Sequence, residues 1–232
     1  MKYICITGLY RSGTTFITKK LDSHRDVEIL YQPCFLYFKK LDQLIFEKFT
    51  GENYHDNPMG FLNYWNMYDN KLSDISFTNE LMQNIINNTR YDIVNDQDIN
   101  NSLLPSLDYY NIFQKNIKSY RADDILISLL DSIAEYRGSN SIYVGFKEVF
   151  LNALIPFLAD IDNMQIIILI RDPREIYFSR NYVKTKSFFG TLERHPVKMI
   201  ATIWKNMIEM KNYLEINCSN ITTIKYEDIY ND

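Results

Sequence analysis

The chain has 232 residues, 46% of them hydrophobic, which is enough to build a full globular core, and an aromatic share of 15% excludes a disordered chain. The formal net charge of −4 excludes a general nucleic-acid binder, whose affinity needs a basic face. There is no apolar run of about 18 residues, so no membrane span is expected, and Lys2 leads straight into a strand-like run where a secretory leader would place its apolar stretch.

Tyr3-Ile4-Cys5-Ile6 is a continuous apolar run, the pattern of a parallel strand buried on both faces. A loop runs from Gly8 to Gly13, and Thr14 to Leu21 continues as a helix with Ile17 and Leu21 on one face. Val27 to Tyr31 reads as a second strand, stopped by Pro33. From about 35 to 140 the texture turns to Asn, Asp and Tyr, with helix-like stretches at Leu36 to Phe49 and Ile125 to Tyr136. This segment reads as a helical insertion within a single domain spanning 1–232.

Strand texture returns at Ile142 to Phe146 and is followed by a helix through Leu154 and Leu158. Gln165 to Ile170 is the strongest strand in the chain. The next helix is announced by Asp172 as N-cap, Pro173 at the first helical position and Glu175 in the first turn. A further helix covers about Pro196 to Ile216, and Ile221 to Tyr226 is the last strand. Strands alternating with helices predict an α/β fold: a three-layer core with a mostly parallel sheet covered on both faces. Cys5, Cys34 and Cys218 are scattered and lack metal-ligand spacing, so they read as reduced thiols of a cytoplasmic protein.

Gly8-Leu9-Tyr10-Arg11-Ser12-Gly13-Thr14-Thr15 follows the first strand and opens the first helix. Its G-x-x-x-x-G spacing is that of a phosphate loop, whose backbone N–H groups cradle anionic oxygens at a helix N-terminus. A nucleoside triphosphatase carries Lys after the second glycine, where this chain has Thr14, and the loop's cation is Arg11. Loss of that Lys disfavours ATP or GTP hydrolysis, and an Arg suits a mixed anhydride with less charge on the transferred group. The plainer alternative is a strand-turn-helix with hydroxyls capping the helix.

Arg171-Asp172-Pro173-Arg174 ends the strongest strand, and Ser179 lies two turns into the next helix. Ligands of parallel sheets bind beyond the carboxyl ends of the strands, so Arg171 shares a rim with the phosphate loop. An Arg at a strand end and a Ser on the following helix suit one further phosphate. A structural ion pair of Arg171 with Asp or Glu is the competing explanation.

Together these residues resemble the sulfotransferases that use 3′-phosphoadenylyl sulfate (PAPS), over residues 3–33 and 142–230. Thr7 to Thr15 resembles the family's 5′-phosphosulfate loop, with Arg as in its carbohydrate and tyrosylprotein branches. Arg171 to Arg174 with Ser179 resembles its 3′-phosphate motif, and Lys225-Tyr226-Glu227-Asp228 is similar to a strand end whose Tyr lies near the adenine. The resemblance implies in-line sulfuryl transfer from PAPS to a hydroxyl or amine acceptor, such as that of a carbohydrate, with no obligatory metal. It implies that Arg11 meets the oxygen bridging sulfur and phosphorus, that Ser12, Gly13, Thr14 and Thr15 hold the 5′-phosphate, that Arg171 and Ser179 hold the 3′-phosphate, and that Tyr226 lies near the base.

The acceptor needs a general base within hydrogen-bond reach. The family's cytosolic branch has His shortly after a Lys; here the stretch is Lys147-Glu148-Val149, and Glu148 is the nearest proton acceptor, with Lys147 a cation near the transferred group. Carbohydrate branches have Glu-Pro after the second strand, where this chain has Gln32-Pro33. His24 and His55 are further candidates. Tyr54, Phe61, Tyr64, Trp65, Tyr68 and Phe77 suit either sugar stacking or the insertion's own core, and Asp92, Asp96 and Asp98 read as a solvated face. Family members usually continue past the Tyr-Glu-Asp strand into a basic loop, so this sequence is expected to be a fragment or a reduced member. Two alternatives remain: a P-loop nucleotide or metabolite kinase with Asp172 as its metal-binding acid, and a nucleotide-binding relative without catalysis.

Overall fold

The computed structural model describes residues 2–33, 107–119, 122–137, 141–149, 155–182 and 196–230, together with positions 47, 51, 83 and 84. Its centre is a five-stranded parallel sheet of β1 (Lys2–Gly8), β2 (Val27–Tyr31), β3 (Tyr143–Lys147), β4 (Met164–Ile170) and β5 (Ile221–Lys225), in the order β2-β3-β1-β4-β5. The described helices are α1 (Thr14–Asp22), α2 (Leu107–Asn116), α3 (Ala122–Arg137), α4 (Ile155–Ala159), α5 (Pro173–Asn181) and α6 (Val197–Asn217), and a 3-10 turn follows β5 at Tyr226–Tyr230.

The strands are apolar on both faces because both faces are covered. Alternation along β1 sends Ile4 and Ile6 to one side, against Ile29 of β2 and Ile17 of α1. Cys5 points to the other side, into a larger cluster with Phe146, Ile166 and Ile168. α3 seals that side with Ile125, Leu129, Leu130 and Ile133, all without solvent exposure. Burying each such side chain contributes about 1.5–3 kcal/mol relative to leaving it in water. The tail of the segment read as an insertion is thus a core layer: α3 is the cover of the crossover from β2 to β3. The stretch at 36–49 lies outside the described residues, apart from Glu47, which is helical.

Because all strands run the same way, their carboxyl ends share one rim. The chain leaves β1 towards β2 on one side and leaves β4 towards β5 on the other. The crevice between β1 and β4 is therefore the topological switch point, where open α/β sheets bind ligands. The loop after β1 and the Arg171 turn after β4 flank it directly, with Gly8 in register with Leu169. The last strand is shorter than expected: it ends at Lys225, and Tyr226 begins the 3-10 turn, which brings its ring back over the rim.

Candidate active site

The loop between β1 and α1 is held open by backbone torsions. Gly13 is the N-cap of α1 in a left-handed conformation, φ 93°, and offers no capping side chain. A Cβ at Gly13 would drive into the Tyr226 ring, so only glycine fits between helix and ring. Arg11 is also left-handed, φ 67°, a conformation that costs a non-glycine residue on the order of 1 kcal/mol or more. Two contacts from across the crevice fix it there: the Arg11 carbonyl accepts from Arg171 Nη1 at 3.1 Å, and Arg11 Nε donates to Ser179 Oγ at 3.0 Å.

Ser12 belongs to the frame of this loop. The sequence places it among the nucleotide ligands, but its N–H and its hydroxyl both turn inward to the Leu9 carbonyl, at 3.1 and 2.6 Å. Both of its donors are spent there, and the side chain is fully buried. The first helical hydrogen bonds run from Phe16 and Ile17 back to the Gly13 carbonyl, at 2.9 and 3.2 Å. Thr14 and Thr15 therefore present their N–H groups at an uncapped helix N-terminus, the geometry that attracts an anion. The Thr15 hydroxyl meets the Tyr31 hydroxyl at 3.1 Å.

The ends of β2 and β3 form the next part of the rim. Tyr31 and Lys147 are in register on neighbouring strands, and Lys147 Nζ sits 4.3 Å from the centre of the Tyr31 ring. Lys147 is only 3% exposed, and no carboxylate pairs with it among the described residues. A buried ammonium without a counter-charge is costly unless an anion arrives to meet it. Lys147 is thus a cation at the end of β3, linked through the Tyr31 ring to the start of α1.

Glu148, expected as the general base, has no exposed surface. One of its oxygens accepts from Val149 N–H at 2.7 Å and from the Gln32 side-chain amide at 3.3 Å. Beneath it lies Cys5, whose thiol is pushed up by burial first and by the Glu148 charge second. A base must reach the proton it removes, and no surface of Glu148 is open to solvent in this structure. Its contacts make Glu148 an anchor for Gln32, which is itself left-handed at φ 46°. Burial also pushes the Tyr10 phenol up to about 12. His24 is in the turn between α1 and β2, at the opposite end of the strands, where its Nδ1 accepts from Asp26 N–H. His55, Cys34, the aromatic residues from 54 to 77 and the aspartates at 92, 96 and 98 lie outside the described residues.

On the β4 side, Arg171 is a hub. Its Nε pairs with Glu175 at 2.8 Å, and its guanidinium stacks 4.1 Å from the centre of the Tyr226 ring. Its carbonyl accepts from Trp204 Nε1 at 2.9 Å, so α6 holds the turn from behind. Tyr226 thereby touches both motifs, Gly13 on one side and Arg171 on the other. Asp172 caps α5 by accepting from Arg174 N–H at 2.8 Å. Hydrogen bonds from the Arg174 side chain and backbone hold the Asp172 carboxyl at about 2, well below its ordinary range. A carboxylate committed to a cap and an ion pair is poorly available as the metal ligand of a kinase. Among the described residues there is no acidic, histidine or cysteine cluster suited to a metal ion. No described helix is long and apolar enough to cross a membrane.

Arg11, Ser179, Arg171, Tyr226, Gly13, Thr14, Thr15 and Lys147 thus converge on one rim. Sequence reasoning missed Tyr31 and Trp204. Tyr31 could have been found from its place at the end of β2, beside the strand that carries Lys147.

No curated protein matches the chain. Among solved structures, the chain is similar to the "Sulfotransferase Domain from the Curacin Biosynthetic Pathway", with 16% identity, a TM-score of 0.47 and coverage of 97% of this chain and 67% of that one. A second similar structure is an uncharacterized protein from Eubacterium ventriosum, with 14% identity, a TM-score of 0.32 and coverage of 97% and 89%. Residues 4–232 match the family model described as "Sulfotransferase family", and the chain therefore belongs to the sulfotransferase family.

Proposed function

We propose that this sulfotransferase takes its sulfuryl group from PAPS and delivers it to a hydroxyl or amine of a small-molecule or carbohydrate acceptor, with no metal requirement. The observation that carries the reading is the Lys147 side chain, 3% exposed and without a carboxylate partner among the described residues, linked through Tyr31 to Thr15 at the uncapped N-terminus of α1. Such a place suits an anion whose charge grows during reaction.

The residues fit the nucleotide's two ends. Thr14 and Thr15 N–H groups at the start of α1 suit the 5′-phosphate, and Arg11 suits the oxygen that bridges phosphorus and sulfur. Arg171 and Ser179 suit the 3′-phosphate across the crevice, and Tyr226 lies between the two ends. When bound, the donor supplies an activated sulfuryl group. In the transfer, a bond forms from the acceptor oxygen or nitrogen to sulfur while the bond from sulfur to the bridging oxygen breaks. Fixed cations at the leaving oxygen stabilise the charge that develops there. In a loose transition state the acceptor keeps its proton until late, so water can take it without a buried base. Glu148 then acts through Gln32, as a positioning group. A cytoplasmic setting goes with this reading.

Transfer of labelled sulfate from PAPS to a panel of alcohols, sugars and amines, with EDTA present, tests the reading. Labelled product in EDTA is expected. Nucleotide binding without transfer to any acceptor would favour the non-catalytic alternative, and an absolute need for Mg²⁺ would favour phosphoryl chemistry.

A further inference from the structure

We infer that Tyr31 is a positioning residue for sulfuryl transfer: it carries the Lys147 ammonium on its ring face and ties that cation to the phosphate loop through Thr15. The inference rests on the function proposed above and adds a residue to it.

Tyr31 is the last residue of β2, and Lys147 the last residue of β3, and the two strands pair in parallel with these residues in register. Residues in register project to the same face of the sheet. Here that is the face carrying Ile29 and covered by α1. The ring therefore lies beside the ammonium, at 4.3 Å from its centre, close enough for an electrostatic attraction to the ring quadrupole. The same side chain reaches in the other direction, and its hydroxyl meets Thr15 Oγ1 at 3.1 Å. One rigid aromatic group thus spans the cation and the helix N-terminus.

The arrangement meets a physical need. Lys147 has four rotatable bonds, and its ammonium has no hydrogen-bond acceptor among the described residues to fix it. A carboxylate in that place would hold it but would also neutralise it and repel an anionic donor. An aromatic face holds a cation without cancelling its charge. Among the described residues, the titratable groups placed beside Lys147 are Tyr31 itself and Glu148, which is next in the chain and lies against Cys5; β1 contributes Ile6 in register, and the first turn of α1 has no acidic residue.

The two halves of Tyr31 separate by substitution. Tyr31→Leu removes both ring and hydroxyl, and Tyr31→Phe removes the hydroxyl alone. With PAPS and a working acceptor, Tyr31→Leu is expected to lower kcat about tenfold, the size of a partly desolvated cation–π contact. Tyr31→Phe should recover most of that kcat, while both variants bind 3′-phosphoadenosine 5′-phosphate about threefold to tenfold more weakly through the lost contact to Thr15. Thermal melts establish that each variant is folded. An independent reading comes from NMR: ring currents should shift the Lys147 ε-methylene protons upfield in wild type and Tyr31→Phe, and the shift should vanish in Tyr31→Leu. Absence of that shift in wild type, or equal kcat losses in the two variants, overturns the inference. If wild type shows the shift but transfers no sulfuryl group from PAPS, the proposed function fails while the placement of Lys147 on Tyr31 stands.

Discussion

The two sides of the rim treat their cations differently. Beside β1 and β3, Lys147 is buried and Arg11 is partly buried, and neither meets a carboxylate among the described residues. Beside β4, Arg171 holds Glu175 and Arg174 holds Asp172, nearer to solvent. A buried cation without a counter-charge is a standing cost, tolerated where an incoming anion recovers it. An exposed ion pair costs little and can be exchanged for a ligand. The proposed function assigns the chemistry to the first side and recognition by exchange to the second, where Glu175 would yield to the nucleotide's 3′-phosphate. Tyr226 links the sides, touching Gly13 and Arg171.

The largest effects are expected where charge develops. Arg11→Ala should lower kcat by roughly 10²–10³, the loss of one oxyanion-type donor, while nucleotide affinity falls less because the loop N–H groups remain. Equal losses in both would mean that Arg11 holds only the ground state. Next, Arg171→Ala should weaken 3′-phosphoadenosine 5′-phosphate by roughly 10–10² and leave AMP nearly unchanged, since a charged hydrogen bond contributes about 1.5–3 kcal/mol. An equal loss for AMP would place Arg171 on the 5′ side.

Smaller effects sharpen the contrast. Glu148→Gln should lower transfer by less than about tenfold and keep the acid limb of the pH–rate profile, because an amide can still hold Gln32. A loss beyond about 10² with that limb removed would restore Glu148 as the base. Glu175→Gln removes a competitor for Arg171 and should tighten 3′-phosphoadenosine 5′-phosphate by up to about fivefold, the range of an exposed ion pair. The Asp172 carboxyl is held below its ordinary value, so its contribution to stability is complete above about pH 4 and is lost as pH falls towards about 2. Asp172→Ala should lower Tm by about 2–4 °C at neutral pH, with the difference from wild type shrinking in acid.

Local patterns explain what was legible in the sequence. The strand-loop-helix around Gly8 to Thr15, the strand from Gln165 to Ile170 and the Asp172-Pro173 helix start are written in adjacent residues, and the structure forms a strand, a helix start or both at each place. Their meeting at the switch point followed from parallel strands alone. α3 was recognised as a helix but read as part of an insertion, because its partner strands lie far away in sequence and its apolar face carries no mark of which sheet it covers. The burial of Glu148 was equally hidden: a charged residue after a strand reads as a rim residue, and neighbours in sequence carry no mark of the packing that buries it. Trp204 is remote in sequence from Arg171, and no spacing rule links a helix indole to a distant carbonyl.

The most direct test of the account is a calorimetric titration of 3′-phosphoadenosine 5′-phosphate and of AMP into the protein with EDTA present. If the two sides of the rim hold the two ends of one nucleotide, the 3′-phosphorylated form binds without metal and on the order of 10²-fold more tightly than AMP. Equal affinities, or binding that appears only with Mg²⁺, would contradict the assignment of Arg171 and Ser179 to the 3′-phosphate and, with it, the choice of PAPS as donor.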